Sequence, residues 1–210
     1  MTDLPDAPAT RRLRPSLRWL PVAMAAALVL GACGGGSATL VGIEREPGVD
    51  VGNVTLPIAG SGEDLAFVAP EGGVMVVYFG FTFCPDICPT TLADLRLALD
   101  DLGEDAERVE VVMATIDPDR DTDELVTGYV QSFVPDAIAV RTDDQGLLRD
   151  ATAAFGADYI ITTDDNGEPE VGHTTSLYAV DDEGNLVLYW AFGTTAEDIG
   201  SDLEVLLDRA

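Results

Sequence analysis

The sequence contains no lysine, a single histidine and only three cysteines among its 210 residues. Arginine supplies all 11 basic side chains, and 38 acidic ones bring the formal net charge to −27. A surface this negative repels phosphate backbones, which excludes nucleic acid as a partner. Hydrophobic residues reach 47%, an ordinary share for a globular protein, so a disordered or fibrous chain is also excluded. The length favours one compact domain.

The apolar run near the N-terminus is too short to cross a bilayer as a helix. It extends over 19–30, four arginines between residues 11 and 18 precede it, and small residues lead from it to Cys33. This pattern predicts an export signal over 1–32. The ending Leu-Gly-Ala-Cys resembles a bacterial lipobox, which implies cleavage before Cys33 and attachment of a diacylglyceryl group to its sulfur. A plain secretory signal and an uncleaved anchor remain alternatives.

The remaining chain is predicted to be a tethered domain. Residues 33–50 begin with the lipidated cysteine and a Gly-Gly-Gly-Ser run, which is typical of a flexible tether. Residues 51–210 would form one domain, exported and lipid-anchored at the outer face of the cytoplasmic membrane. Because anionic head groups repel so acidic a domain, its attachment to the membrane would depend on the acyl chains.

Hydrophobic periodicity predicts alternating strands and helices. The continuous apolar run 74–81 is typical of a strand buried on both faces. Further strands are predicted over 109–116, 137–141, 176–180 and 186–192, and helices over 90–102, 123–133, 144–155 and 196–207. This order predicts an α/β, thioredoxin-like fold with a mixed central sheet, helices on both faces and an inserted strand-helix segment over 137–155.

Cys84 and Cys88 lie where the first buried strand gives way to a helix. If the segment is helical, their spacing places both sulfurs on one face with Cα atoms about 6 Å apart, within disulfide range. A helix N-terminus is expected to lower the thiol pKa and favour the thiolate. An inert structural disulfide remains an alternative. So does a redox pair of thioredoxin type, although that motif has two intervening residues and this one has three.

His173, the only histidine, immediately precedes the third main strand. In a thioredoxin-like topology the loop before that strand faces the cysteines, so we expect two thiolates and one imidazole to converge. That donor set suits Cu(I) and can also hold Cu(II). Zinc normally takes a fourth ligand, and the sequence has no second histidine or further unassigned cysteine to provide one. A purely structural histidine is the alternative.

Three segments resemble the Sco/SenC family of copper proteins. They are YFGFTFCPDICPTT at 78–91, IDPDRDT at 116–122, and VGH with LYAVD between 171 and 181. The resemblance implies that Cys84, Cys88 and His173 bind copper and that Asp117 lies near the metal. It also implies that the protein helps to assemble the dinuclear copper centre of cytochrome c oxidase subunit II.

Two positions depart from the patterns of known proteins. Gly172 stands where the family usually has an aspartate, which would loosen the orientation of His173. Thr174 replaces the proline that thioredoxins carry before the third strand, which would leave room for a metal ion.

The leading hypothesis is a membrane-tethered copper metallochaperone, supplied by a copper-donor protein and by a thiol reductant. The main alternative is a thiol–disulfide oxidoreductase that reduces the cysteines of a copper-receiving partner and does not need His173. A peroxidase is disfavoured, because Thr82 precedes Cys84 by two residues and peroxiredoxins need three. A redox or copper sensor remains open.

The acidic run 117–121 does not fit a calcium-binding EF-hand loop. Such a loop needs glycine at its sixth position and glutamate at its twelfth, and these positions hold Thr122 and Gly128. The run 164–167, Asp-Asp-Asn-Gly, is predicted to be a turn.

Overall fold

The computed structural model describes residues 39–210, and none of the helices within that range is long and apolar enough to cross a membrane. The predicted signal over 1–32 and the lipidation site Cys33 lie outside the described residues.

Ten strands and four α-helices make up the described part of the chain. The strands are β1 (Ile43–Asp50), β2 (Thr55–Pro57), β3 (Asp64–Ala66), β4 (Val74–Gly80), β5 (Val109–Thr115), β6 (Ile138–Val140), β7 (Tyr159–Thr163), β8 (Pro169–His173), β9 (Leu177–Val180) and β10 (Asn185–Trp190). The helices are α1 (Ile87–Leu102), α2 (Asp123–Gln131), α3 (Gln145–Ala154) and α4 (Ala196–Arg209), and a 3₁₀ helix covers Gly103–Arg108.

Six strands form one mixed sheet in the order β1-β10-β9-β4-β5-β6. Strands β4, β5 and β6 run parallel, whereas β9 lies antiparallel to β4 and β10 lies antiparallel to β9. Helices α1 and α4 pack against each other, and α2 lies against β5 and β6. The predicted fold class and its mixed central sheet are confirmed. The predicted strand-helix segment, β6 and α3, follows α2 in the chain, and β6 pairs with β5 at the edge of the sheet.

Strand β4 carries the chain through the centre of the sheet to the cysteine motif. All seven of its residues are buried, as its continuous apolar run predicts. Helix α1 begins at Ile87, three residues earlier than the sequence predicts. Pro89 falls in its first turn, where the missing N–H would have no partner in the helix anyway. Cys88 therefore lies inside the helix, and Cys84 lies in the loop before it.

Strand β1 corrects the predicted tether. Residues 43–50 pair with β10 along the edge of the main sheet instead of forming a flexible link. The buried carboxylate of Asp202 accepts hydrogen bonds from the N–H groups of Val41 at 2.9 Å and Gly42 at 2.7 Å. The same carboxylate accepts one from the indole N–H of Trp190 at 2.9 Å. The folded domain thus begins near the buried Leu40, about ten residues before the predicted boundary at 51.

Strands β7 and β8 form a separate two-stranded hairpin, which the sequence did not predict. Its register pairs Tyr159 with His173 and Thr163 with Pro169. Only Tyr159 is buried, and its hydroxyl donates a hydrogen bond to Gln145 on α3 at 3.0 Å. The hairpin turn contains the predicted turn over 164–167, in which Asp164 accepts backbone hydrogen bonds. This hairpin carries His173 to the site.

Candidate metal centre

Cys84 and Cys88 lie beside the carboxyl end of β4. Cys88, in the first turn of α1, has none of its surface exposed, whereas Cys84 is partly exposed. The backbone N–H of Cys88 donates a hydrogen bond to the sulfur of Cys84 at 3.3 Å. Both cysteines are free thiols. The two sulfurs are therefore held close together, one facing inward and the other accessible from outside.

His173 comes to the same place from the end of β8. Its Nδ1 lies 2.8 Å from the carbonyl oxygen of Thr174. Because a carbonyl only accepts hydrogen bonds, Nδ1 carries the proton and Nε2 presents its lone pair. The ring edge packs against Phe81 and Tyr78, with centroid distances of 5.7 and 6.2 Å. Nε2 lies 3.7 Å from the sulfur of Cys88.

The three side chains converge as the sequence predicts. The two sulfurs and one imidazole nitrogen all lie within 4.8 Å of one another. Cys84 and His173 border a cleft of about 360 Å³, whose walls include Phe81, Ile87 and Val171, whereas Cys88 lies buried behind them. Within residues 39–210, no carboxylate or fourth side chain joins the group. The arrangement is a soft donor set of two sulfurs and one nitrogen, which suits a low-coordinate copper ion better than tetrahedral zinc.

Burial sets the proton states of the site. It raises the pKa of the Cys88 thiol to about 12, which overturns the expectation of a lowered value at the helix N-terminus. Desolvation outweighs the helix effect here because the sulfur lies wholly inside the protein. Burial also lowers the pKa of His173 below its usual value, so the imidazole is neutral at pH 7. A metal ion would therefore find one neutral nitrogen ready and would have to displace a proton from Cys88.

Asp117, predicted to lie near the metal, is not among the converging side chains. It is buried and pairs with Arg120. Burial raises the pKa of its carboxyl group above the usual value, although Arg120 acts in the opposite direction. The Arg120 guanidinium in turn lies over the rings of Phe83, at 5.0 Å, and Phe81, at 5.8 Å. Asp117 thus acts on the cleft only through Arg120, which lies over Phe81 of the cleft wall and over Phe83, whose side chain is 55% exposed.

Asp121 has a more direct structural role that the sequence did not reveal. It is fully buried and accepts hydrogen bonds from the backbone N–H of Thr82 at 3.1 Å and from the Thr115 hydroxyl at 2.6 Å. The hydroxyl of Thr82 donates to it as well. These bonds fasten the loop before Cys84 to the end of β5. The sequence shows three acids in this block, at 117, 119 and 121, but it does not tell which of them is buried against the loop.

A family model described as SCO1/SenC matches residues 58–208. The chain belongs to the SCO1/SenC family. This match covers the cysteine motif, the acidic block and His173, and it confirms the resemblance on which the sequence interpretation depends. The matched range therefore includes all three converging side chains and five of the six strands of the main sheet.

Individual Sco relatives agree with this assignment. A SCO2-like protein of Rickettsia prowazekii is 30% identical over 131 residues, covering 61% of this chain and 63% of its own length. The human mitochondrial SCO2 homologue is 30% identical over 136 residues, covering 63% of this chain and 51% of its own. The chain thus spans less than two thirds of the length of these curated relatives.

Solved Sco structures share the fold. The apo Sco1 protein of Thermus thermophilus aligns with a TM-score of 0.69 and 29% identity, covering 82% of this chain and 99% of its own. A crystal structure of Arabidopsis thaliana ScoI with copper bound aligns with a TM-score of 0.65 and 26% identity, covering 76% and 98%. The thioredoxin-like architecture is therefore that of the Sco proteins.

Proposed function

We propose that this Sco protein is a copper metallochaperone that binds one copper ion through Cys84, Cys88 and His173. The observation that carries the proposal is the convergence of two sulfurs and one nitrogen within 4.8 Å, across 85 positions of sequence between Cys88 and His173. The copper-bound structure of the Arabidopsis relative supports copper as the cargo. The donor set supports it independently, because thiolates and imidazole are the ligands that copper prefers.

The geometry suggests how the protein would hold its cargo and release it. The hydrogen bond from Nδ1 to Thr174 fixes the imidazole so that Nε2 points to the sulfurs. Cys88 is buried and Cys84 is partly exposed, so the ligands of an acceptor would reach the metal from the Cys84 side. Three ligands leave room for a fourth, which allows transfer by stepwise exchange of ligands. Capture at neutral pH would release a proton from Cys88.

We further propose cytochrome c oxidase subunit II as the copper acceptor, with a copper-donor protein and a thiol reductant acting upstream. The family resemblance is the basis for this partner. The protein would be exported and anchored at the outer face of the cytoplasmic membrane by a lipid on Cys33. The start of β1 lies at the cysteine end of the sheet. Ile43 of β1 pairs with Tyr189 of β10, and the next residue of β10, Trp190, pairs with Leu177 of β9, which also pairs with Tyr78 near the end of β4.

This placement supports a close membrane attachment. From Cys33 to Leu40 the chain spans at most about 25 Å when fully extended. The chain would therefore leave the domain at the end that carries the metal site, and a tether this short would keep that end near the membrane surface. A membrane-bound acceptor would then meet the site at a raised local concentration.

Competition titration of the reduced protein with Cu(I) and a chromophoric chelator tests the proposal. We expect one ion per chain, and weaker binding in His173→Ala, Cys84→Ser and Cys88→Ser. Phe192→Leu is a suitable control, because Phe192 is 47% exposed and is absent from the walls of the metal cleft. A stoichiometry other than one, or undiminished binding by His173→Ala, would contradict the proposal.

One observation also favours a thiol–disulfide oxidoreductase. An accessible Cys84 next to a buried Cys88 is the arrangement expected of an attacking and a resolving thiol. The electrons would pass from this dithiol to a disulfide of the partner, and the pair would end as a disulfide. This reaction does not need His173. Full reduction of subunit II cysteines by His173→Ala would favour the reductase, whereas loss of copper transfer in the same variant would favour the chaperone.

A further inference from the structure

Two tyrosine hydroxyls near the cysteine pair are buried without a hydrogen-bond partner. They belong to Tyr78 on β4 and Tyr129 on α2, and no other buried side-chain nitrogen or oxygen in residues 39–210 lacks a partner. Tyr78 has none of its surface exposed. An unpaired buried hydroxyl destabilises a fold, and phenylalanine would fill the same space without that cost. A tyrosine at such a position needs an acceptor among the groups that face it.

The ring of Tyr78 packs against the imidazole of His173, whose Nε2 lies 3.7 Å from the sulfur of Cys88. Cys88 and Thr91 are also the side chains that affect the pKa of the Tyr78 hydroxyl by hydrogen bonding. Thr91 already donates its own hydrogen to the carbonyl of Ile87 at 2.9 Å. A neutral thiol is a weak acceptor, whereas a sulfur that carries negative charge accepts strongly. Burial raises the pKa of Tyr78 far above its usual value, so its hydroxyl keeps the hydrogen that it would donate.

Tyr129 provides a comparison within the same site. Its hydroxyl is equally unpaired, and burial and then the charges of Cys88, Cys84 and Asp121 raise its pKa. The two thiols affect the pKa of Tyr129 only through charge, whereas Cys88 also affects the pKa of Tyr78 by hydrogen bonding, although neither hydroxyl has a partner within hydrogen-bonding distance. The ring of Tyr78 also packs against the imidazole of His173, so Tyr78 lies beside two of the three metal ligands.

We infer that Tyr78 is a positioning residue for the metal site, whose hydroxyl donates a hydrogen bond to the sulfur of Cys88 when that sulfur binds the metal ion. The inference rests on the proposed function, because the sulfur becomes a strong acceptor only as a metal ligand. Such a bond fixes the direction of the sulfur and stabilises its negative charge, which favours the deprotonated form that binds the metal. Hydrogen bonds that surrounding residues make to the metal-binding side chains affect metal affinity by about 10- to 100-fold.

The test compares Tyr78→Phe with Tyr129→Phe in Cu(I) competition titrations and thermal melts. We expect Tyr78→Phe to bind one ion about tenfold more weakly, while its metal-free form melts no lower than the wild type. Tyr129→Phe should keep its affinity within about twofold, because the thiols affect its hydroxyl through charge and not by hydrogen bonding. A purely structural hydroxyl at Tyr78 would give the opposite pattern, with a lower melting temperature and unchanged affinity, and would overturn the inference.

A second comparison identifies the acceptor. In a Cys88→Ala background, the added Tyr78→Phe change should leave the residual Cu(I) affinity unaltered, because the acceptor sulfur is already absent. In the Cu(II) form with both cysteines, Tyr78→Phe should shift the thiolate-to-copper absorption band to lower energy. A further loss of affinity in the Cys88→Ala background, or an unshifted band, would overturn the inference. Unchanged affinity of Tyr78→Phe beside normal wild-type binding would reject it while leaving the proposed function intact, whereas wild-type protein that binds no copper would reject both.

Discussion

The two halves of the metal site differ in how firmly the fold holds them. On the cysteine side, Cys88 is fully buried in α1, and Asp121 fastens the preceding loop by accepting hydrogen bonds from Thr82 and Thr115. On the histidine side, His173 ends a two-stranded hairpin outside the main sheet, and only Tyr159 of its strand residues is buried. One half belongs to the core, and the other is attached mainly at its base.

This difference suggests a division of tasks. The sulfurs are held in place before metal arrives, so binding costs little reorganisation on that side. The hairpin can open without disturbing the central sheet, because its backbone pairs only with itself and its base is held by bonds such as the one from Thr174 N–H to Asp158 at 2.9 Å. A carrier that must both hold and release copper gains from such an arrangement, since the imidazole can leave while the sulfurs stay.

The largest effect is expected in amide hydrogen exchange of the metal-free protein. Amides of the hairpin β7–β8 should exchange at least about 10³-fold faster than those of β4, because local opening exposes them without global unfolding. The hairpin formed by β9 and β10 is the matched control, since it has the same antiparallel form but lies within the main sheet. Equal protection of the two hairpins would contradict the proposed difference. Copper should slow exchange at His173 and its neighbours.

The next largest effect is expected from a substitution that weakens the cysteine half of the site. Asp121→Ala leaves the donors of Thr82 and Thr115 without an acceptor inside the protein, and should lower the free energy of unfolding by about 2–4 kcal/mol. Cu(I) affinity should fall as well, because the loop before Cys84 loses its attachment to β5. Chemical denaturation and competition titration measure the two effects. Asp119→Ala, an exposed acid in the same block, should change stability by less than about 0.5 kcal/mol.

Because the Cys88 thiol carries a proton, we expect Cu(I) affinity to depend moderately on pH. Its pKa of about 12 means that the thiol is protonated at pH 6–9, so copper must displace that proton. Affinity should therefore fall as the pH is lowered, by about tenfold (1.4 kcal/mol) per pH unit for this thiol alone. His173 adds little to this dependence at neutral pH and above, because burial lowers its pKa below the usual value and the imidazole is already neutral there. Titrations at several pH values should show a steeper slope for the wild type than for Cys88→Ala, and equal slopes would contradict this origin.

The cysteine half was predictable from the sequence, and the histidine half only in part. The buried strand β4 and the following helix have strong apolar patterns, so their junction could be placed to within a few residues. The hairpin β7–β8 and strand β1 lack such patterns, because nearly all their side chains are exposed and tertiary contacts stabilise them. His173 was placed correctly by topology, whereas the hairpin that carries it was not predicted.

Electrostatic details were the least predictable part of the site. A helix N-terminus suggests a thiolate, but the depth of burial determines the proton state of Cys88, and depth is a property of the folded chain. The acidic block likewise offers several carboxylates at similar spacing. Only the packing of Thr82 against the end of β5 shows that Asp121 secures the loop and that Asp117 pairs with Arg120.

The smallest effect is expected from a substitution at Gly172 that stabilises the hairpin carrying His173. A Cβ added there meets only the Cγ2 of Ile160, at 3.4 Å, and the backbone conformation is one that alanine adopts freely. Gly172→Ala should therefore stabilise the hairpin by about 0.4–1 kcal/mol, mainly by restricting the unfolded chain, and slow its amide exchange about two- to fivefold. Because we expect the imidazole to leave by opening of this hairpin, release of Cu(I) to a chelator should slow by a similar factor.

Gly167 provides the opposite control in the same hairpin. Its φ of 86° in the turn is a conformation that alanine adopts only with strain. Gly167→Ala should therefore speed both hairpin exchange and copper release, while β4 exchange stays unchanged in both variants. If the two alanine variants changed exchange in opposite directions but left copper release equal, hairpin opening would not control release. The difference in stability between the two halves would then have no part in the transfer of copper.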